Sequence, residues 1–178
     1  MKKKGTALKK LESKGEEIAN FVSHTVGAGL AILGFIMLII RAAWFNNIPA
    51  IISYIVFSLG LMVLYTMSSI YHGLKPSKAK NVFEILDHSS IYFLIAASYT
   101  PFLVSMSITL LIIQWVICAL GITFKAFFTG KFKGISTVVY LIMGWMIVFS
   151  WNELISKVSP ISIIFLVTGG ILYSLGTI

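Results

Sequence analysis

Residues 89–124 run for 36 positions without a charged side chain, and this uncharged stretch limits the fold of the chain more than any other feature. As one helix rising 1.5 Å per residue it would reach about 54 Å, well beyond the roughly 30 Å hydrocarbon core of a bilayer. The run therefore has to turn back on itself. The segment YTPFLVSMSIT offers the place, with Pro101 followed by Ser105, Ser107 and Thr109. Division there predicts two spans, at about 85–104 and 107–124. Four further apolar runs, at about 21–40, 48–71, 135–151 and 160–178, each have the length of a crossing. Pro49 falls in the first turn of the second, where its missing N–H does no harm. Every connection is short, so no soluble domain fits between the spans. The expectation is an all-α, multi-span integral membrane helix bundle with six spans over residues 21–178, preceded by a basic tail over 1–20.

Composition supports the same class. The chain is 58% hydrophobic and 11% charged, with a mean hydropathy of +0.95, against about 25% charged for soluble domains. Its formal charge of +8 does not point to nucleic acid, because the basic residues stand in short clusters between apolar runs with no stacked aromatic groove. The partners expected are membrane lipids, and no soluble protein partner is inferable. The lone Cys118 lies in an apolar run and cannot form an internal disulfide. The start, MKKKGTALKKLESKGEEIANF, lacks the small-residue cleavage site of a signal peptide and reads as a cytoplasmic tail.

Orientation follows from the short loops. Lys2, Lys3, Lys4, Lys9, Lys10 and Lys14 stand in the tail, Lys75, Lys78 and Lys80 after the second span, and Lys125, Lys131 and Lys133 after the fourth. Only Arg41 and Lys157 fall on the opposite side. A multi-pass protein of the cell membrane with a cytoplasmic N-terminus is expected. The last span, LVTGGILYSLGTI, runs to the final residue with no inner loop or basic cap, and reads as a chain cut before one more crossing.

The polar residues gather where this topology places the cytoplasmic ends of the spans. Ser68 and His72 are four apart and share one face of a helix. Asp87, at the start of the returning span, can point at them. In the first span Glu17, Asn20, His24 and Gly27 form a stripe that continues through Ala31 and Gly34, a pattern suited to close helix packing. Taken singly, such residues are more often headgroup contacts or, for Asp87, a helix-dipole partner. Six converging on one face point to a functional site instead. His24 and His88 read as structural residues, His24 as a hydrogen-bond partner holding the first span.

The pieces EEIANFVSHTVG, SSIYHGL and LDHSSIYFLIAASYTPF, in this order on three successive spans, resemble the bacterial hemolysin III family, related to progestin and adiponectin receptors and more distantly to alkaline ceramidases. The resemblance covers nearly the whole chain. It implies a seven-helix bundle, six of whose spans are present here, with a zinc site near the cytoplasmic face. His72, four residues after Ser68, would be a zinc ligand, and Asp87 would hydrogen-bond the zinc-bound water. Ser68 would orient a ligand or help stabilise an oxyanion. The family's other two ligands form a His-x-x-x-His pair, which this sequence lacks; its histidines are His24, His72 and His88. Among them His24 and His88 are the other residues that could complete a site. The first expectation of function is a zinc-dependent intramembrane hydrolase of lipid amides or esters. A pore-forming cytolysin ranks second and a receptor-like sensor third. Polar residues collected at one end favour a site over a pore.

Overall fold

The computed structural model describes residues 13–177, so Lys2, Lys3, Lys4, Lys9 and Lys10 of the basic tail lie outside the described residues. Among the described residues the regular structure is all helical: α1 (Lys14–Trp44), α2 (Ile48–Gly73), α3 (Lys78–Met106), α4 (Ile108–Phe128), α5 (Lys133–Trp145), α6 (Trp151–Lys157) and α7 (Pro160–Gly176), with a 3-10 segment, Met146–Ser150, joining α5 to α6. Five segments are long and apolar enough to cross a membrane: α1, α2, α3, α4 and the composite Gly134–Lys157. Pro160–Gly176 is apolar but shorter.

The helix starts follow from local chemistry. Ser13 caps α1 in a reciprocal capping box with Glu16, and Glu16 and Glu17 place negative charge on the first turn. Asn47, Ser77 and Ser159 accept hydrogen bonds from the first turns of α2, α3 and α7. Ser107 closes α3 through its backbone N–H to Leu103 and opens α4 through its side chain. The reversal therefore falls on this serine. Pro101, expected to share in it, lies inside α3 instead.

A second correction concerns Asp87. Since α3 begins at Lys78, more than two turns earlier, Asp87 is an interior residue and not a helix-start one. The dipole effect fades within the first turn, so it does not account for an acid there. The fifth span likewise runs past residue 151, changing to 3-10 geometry at Met146 and returning to α at Trp151.

The core is built around α3, which contributes Tyr92, Ile95, Ala96, Tyr99 and Leu103 and is joined by Leu111 and Cys118 of α4 and Tyr140 and Met143 of α5. Gly121 lets α4 close on it, since a Cβ there would collide with the Tyr92 ring. α1 packs on α2 and α2 on α3, which brings the starts of α1 and α3 to the end of α2.

Candidate functional site

Successive antiparallel helices put Glu17 and His24 of α1, Ser68 and His72 of α2, and Lys80 and Asp87 of α3 at one end of the bundle. The stripe on α1 is its less exposed face: Glu17, Asn20, His24, Gly27 and Gly34 are half-buried and Ala31 is buried, while Val22, Val26, Leu30 and Leu33 are exposed. That face meets α2.

Two contacts cross from α1 to α2. His24 Nδ1 and Ser68 Oγ are hydrogen-bonded at 2.5 Å, and Ser68 is only 2% exposed. One turn of α2 further on, His72 Nδ1 meets Glu17 Oε2 at 3.3 Å. A carboxylate only accepts, so Nδ1 carries the proton, and in the neutral ring the lone pair lies on Nε2. The two imidazoles stand edge to face, 6.0 Å between centroids.

Glu17 is held in turn from α3. Lys80 Nζ donates to both of its carboxylate oxygens at 2.9 Å and to the Leu74 carbonyl at 3.0 Å, and it lies over the Tyr71 ring at 4.8 Å. The Lys80 and His72 side chains are 14% and 6% exposed, so this is a largely desolvated ion pair with a histidine attached. Such pairs stabilise through geometry more than through net Coulomb gain. Asp87 completes the group from α3, in the neighbourhood of the His24 ring. Ser90 Oγ donates to the Asp87 backbone carbonyl.

The structure thus brings Ser68, His72 and Asp87 into one neighbourhood and adds His24 and Glu17 from the α1 stripe. His88, next to Asp87, has the Tyr71 ring as a neighbour at 6.5 Å, and its carbonyl accepts from Tyr140. Lys80 and Tyr65, whose ring lies 5.8 Å from that of His24, are parts of this environment that the sequence reading did not single out. Lys80 reads there only as one of three loop lysines. Its distance from Glu17, 63 positions along the chain, hides the pairing.

Among the described residues no three His, Cys, Asp or Glu side chains group closely enough to hold a metal ion, and a catalytic zinc uses three protein ligands. His72 has the features of one ligand, a buried imidazole whose Nδ1 is fixed by a carboxylate. The described residues therefore do not by themselves form a zinc site.

Residues 13–178 match the sequence model of the haemolysin-III related family. The chain is 42% identical over 168 residues to the Hemolysin-3 homolog of Bacillus subtilis, covering 92% of this chain and 79% of that protein. It is 40% identical over 168 residues to Hemolysin-3 of Bacillus cereus, covering 92% and 77%. The human monocyte to macrophage differentiation factor is 27% identical over 136 residues, 69% of this chain and 55% of that protein. No solved structure matches.

Proposed function

The chain belongs to the haemolysin-III related family, and on that premise we propose that it is a multi-pass cell-membrane protein that hydrolyses lipid amides or esters at a polar site on its cytoplasmic side. The observation that carries the reading is the convergence of Glu17, His24, Ser68, His72 and Asp87 at one end of three helices long and apolar enough to cross a membrane. Ionisable groups are costly inside a membrane and mark function by default.

His72 is the residue that would hold zinc, which when bound supplies a Lewis acid for a carbonyl and an acidified water. A single imidazole is not a complete site, so no step is routed through the metal. The chain's own groups do the rest. The Asp87 carboxylate accepts a proton from an attacking water and returns it to the leaving amine or alcohol. The Ser68 hydroxyl, held by His24, donates toward the oxygen on which charge develops. Glu17 fixes the His72 ring and Lys80 fixes Glu17.

The test is fatty-acid release from a long-chain N-acyl amide by the protein in vesicles supplied with zinc. Asp87→Asn is expected to lower release by about 100-fold or more, and Ser68→Ala by about tenfold, as one lost donor. His72→Ala should lower release as well, because it removes the imidazole that Glu17 holds in the site. An inactive parent protein, or release that survives both His72→Ala and Asp87→Asn, refutes the hydrolase.

One observation favours a second reading. The relative from Bacillus cereus, 40% identical, is named Hemolysin-3, and a membrane-lytic role would follow if the name applied here. A pore calls for polar residues along the depth of its helices, and these gather at one end. Dye leakage from the same vesicles separates the two: leakage without amide cleavage supports lysis.

A further inference from the structure

Beyond Tyr65 the contact between α1 and α2 opens into a groove of about 220 Å³, lined by Gly27, Ala31 and Gly34 on one side and Phe57, Leu61 and Tyr65 on the other. Its near end belongs to the polar site: Gly27 is one helical turn from His24, and Tyr65 touches the His24 ring edge to face. Leu30 at its rim is 62% exposed, so the groove faces the surrounding lipid. Apart from the hydroxyl of half-buried Tyr65, its lining is apolar with one buried exception.

The exception is Ser58. Ser58 is 1% exposed and lines the groove, and among the described residues its hydroxyl has no hydrogen-bond partner. Serines in a membrane helix ordinarily satisfy themselves on the preceding turn, as Ser53 does on the Pro49 carbonyl. A buried hydroxyl left without a partner carries a desolvation cost, and a ligand that supplies the partner removes it. Ser58 precedes Ser68 by ten residues on the same helix, about 15 Å away along the axis. An occupant that reaches from the site to Ser58 is therefore long, apolar and narrow, with a hydrogen-bonding oxygen well away from its reacting end.

We infer that this groove holds the acyl chain of the substrate, and that Ser58 selects chains bearing a hydroxyl near their middle. This rests on the reading of the α1–α3 site as one that acts on lipid amides or esters, and it names the chain preference of that site. Small side chains on α1 make room for the chain, Tyr65 separates it from His24, and Ser58 pairs with the chain hydroxyl.

The test compares binding of two probes, octadecanamide and an octadecanamide hydroxylated at mid-chain, to the purified chain in nanodiscs, with hydrolysis followed separately. The hydroxylated probe should bind the parent about threefold to tenfold more tightly, the worth of one hydrogen bond. Ser58→Ala should erase that preference and leave binding of the plain amide unchanged. Gly34→Leu should weaken both, because it fills the groove at a position where an added Cβ meets nothing within 4 Å. Melting temperatures near that of the parent establish that both variants are folded. Equal binding of the two probes by the parent, or a preference that survives Ser58→Ala, overturns the inference. Selective binding without hydrolysis by the parent would leave the groove standing and overturn the hydrolase reading alone.

Discussion

Glu17 accepts from Lys80 through both oxygens and from His72 through one, and so couples the loop end of α3 to a histidine on α2 by way of α1. Its two partners are separable by mutation. Glu17→Gln keeps an oxygen for the His72 Nδ1–H but loses the ion pair, whereas Glu17→Ala loses both. Ring nitrogen shifts of His72 should therefore report the Nδ1–H tautomer in the parent and in Glu17→Gln, and a mixture of tautomers in Glu17→Ala. Loss of an outer partner of this kind typically weakens metal affinity or activity about 10–100-fold. An unchanged His72 signal in Glu17→Ala would show that another contact sets the ring. The face shared by Ser68 and His72 was legible in the sequence, because four-residue spacing needs only the helix period. The bond between His24 and Ser68 was not, because it depends on the register in which α1 lies along α2. Composition is silent on that register. Asp87 was legible as an acid beside an apolar run, but its depth inside α3 was not, since Ser77 starts the helix more than two turns earlier.

At the scale of helices, the small residues on α1 differ in what they permit. A Cβ on Gly27 would stand 2.8 Å from the Tyr65 ring, while one on Gly34 meets nothing within 4 Å. Gly27→Leu should thus destabilise the α1–α2 pair by about 1–3 kcal/mol, the usual cost of overpacking, and push Tyr65 toward His24. Thermal unfolding in detergent checks this, with Gly34→Leu as the control that should stay near the parent. The other feature of this scale is the break in the fifth crossing. Where α5 gives way to 3-10 geometry, Tyr99 OH donates to the Gly144 carbonyl at 2.5 Å and accepts from the Ile147 N–H at 3.2 Å, and Gln114 Nε2 donates to the Met143 carbonyl at 2.8 Å. In a membrane, backbone groups freed by a broken helix need such partners. Tyr99→Phe should cost about 1–3 kcal/mol by leaving these groups unsatisfied. A melting temperature equal to that of the parent would mean that the backbone finds other partners. Nothing in MGWMIVFS announced this break, because it contains no proline and its one glycine, Gly144, is helical. It is imposed by side chains arriving from α3 and α4. The turn at Ser107 was nearly legible, and only the part given to Pro101 was misplaced: this proline lies inside α3, and membrane helices tolerate an interior proline more readily than soluble ones.

For the whole molecule, hydropathy reads the crossings but not the interior, because lipid and protein core are equally apolar. Half of the most apolar stretch of α3 is buried inside the protein, against 11% of that of α1, though both qualify as spans. Orientation instead rests on charge. Twelve of the 14 Lys and Arg residues fall on one side of the alternating spans, a bias of the kind that sets topology. The two exceptions have local employment. Arg41 lies over the Phe45 ring at 4.7 Å, and Lys157 Nζ donates to the Ser105 carbonyl at the C-terminal end of α3, where a cation is favoured by the helix dipole. Neither therefore argues for reversing the bundle. In a Cys118→Ala background, Lys78→Cys and Lys131→Cys should stay unlabelled by an impermeant thiol reagent in intact cells and react after the membrane is opened. Phe45→Cys and Asn152→Cys should react in intact cells. Phe45 is the better probe of its loop than Asn46, whose left-handed backbone (φ 49°) would be strained by cysteine. Labelling of Lys78→Cys but not Phe45→Cys in intact cells would invert the bundle and carry Glu17, His72 and Asp87 to the outer face. The proposed hydrolysis would then be directed at lipids of the other leaflet.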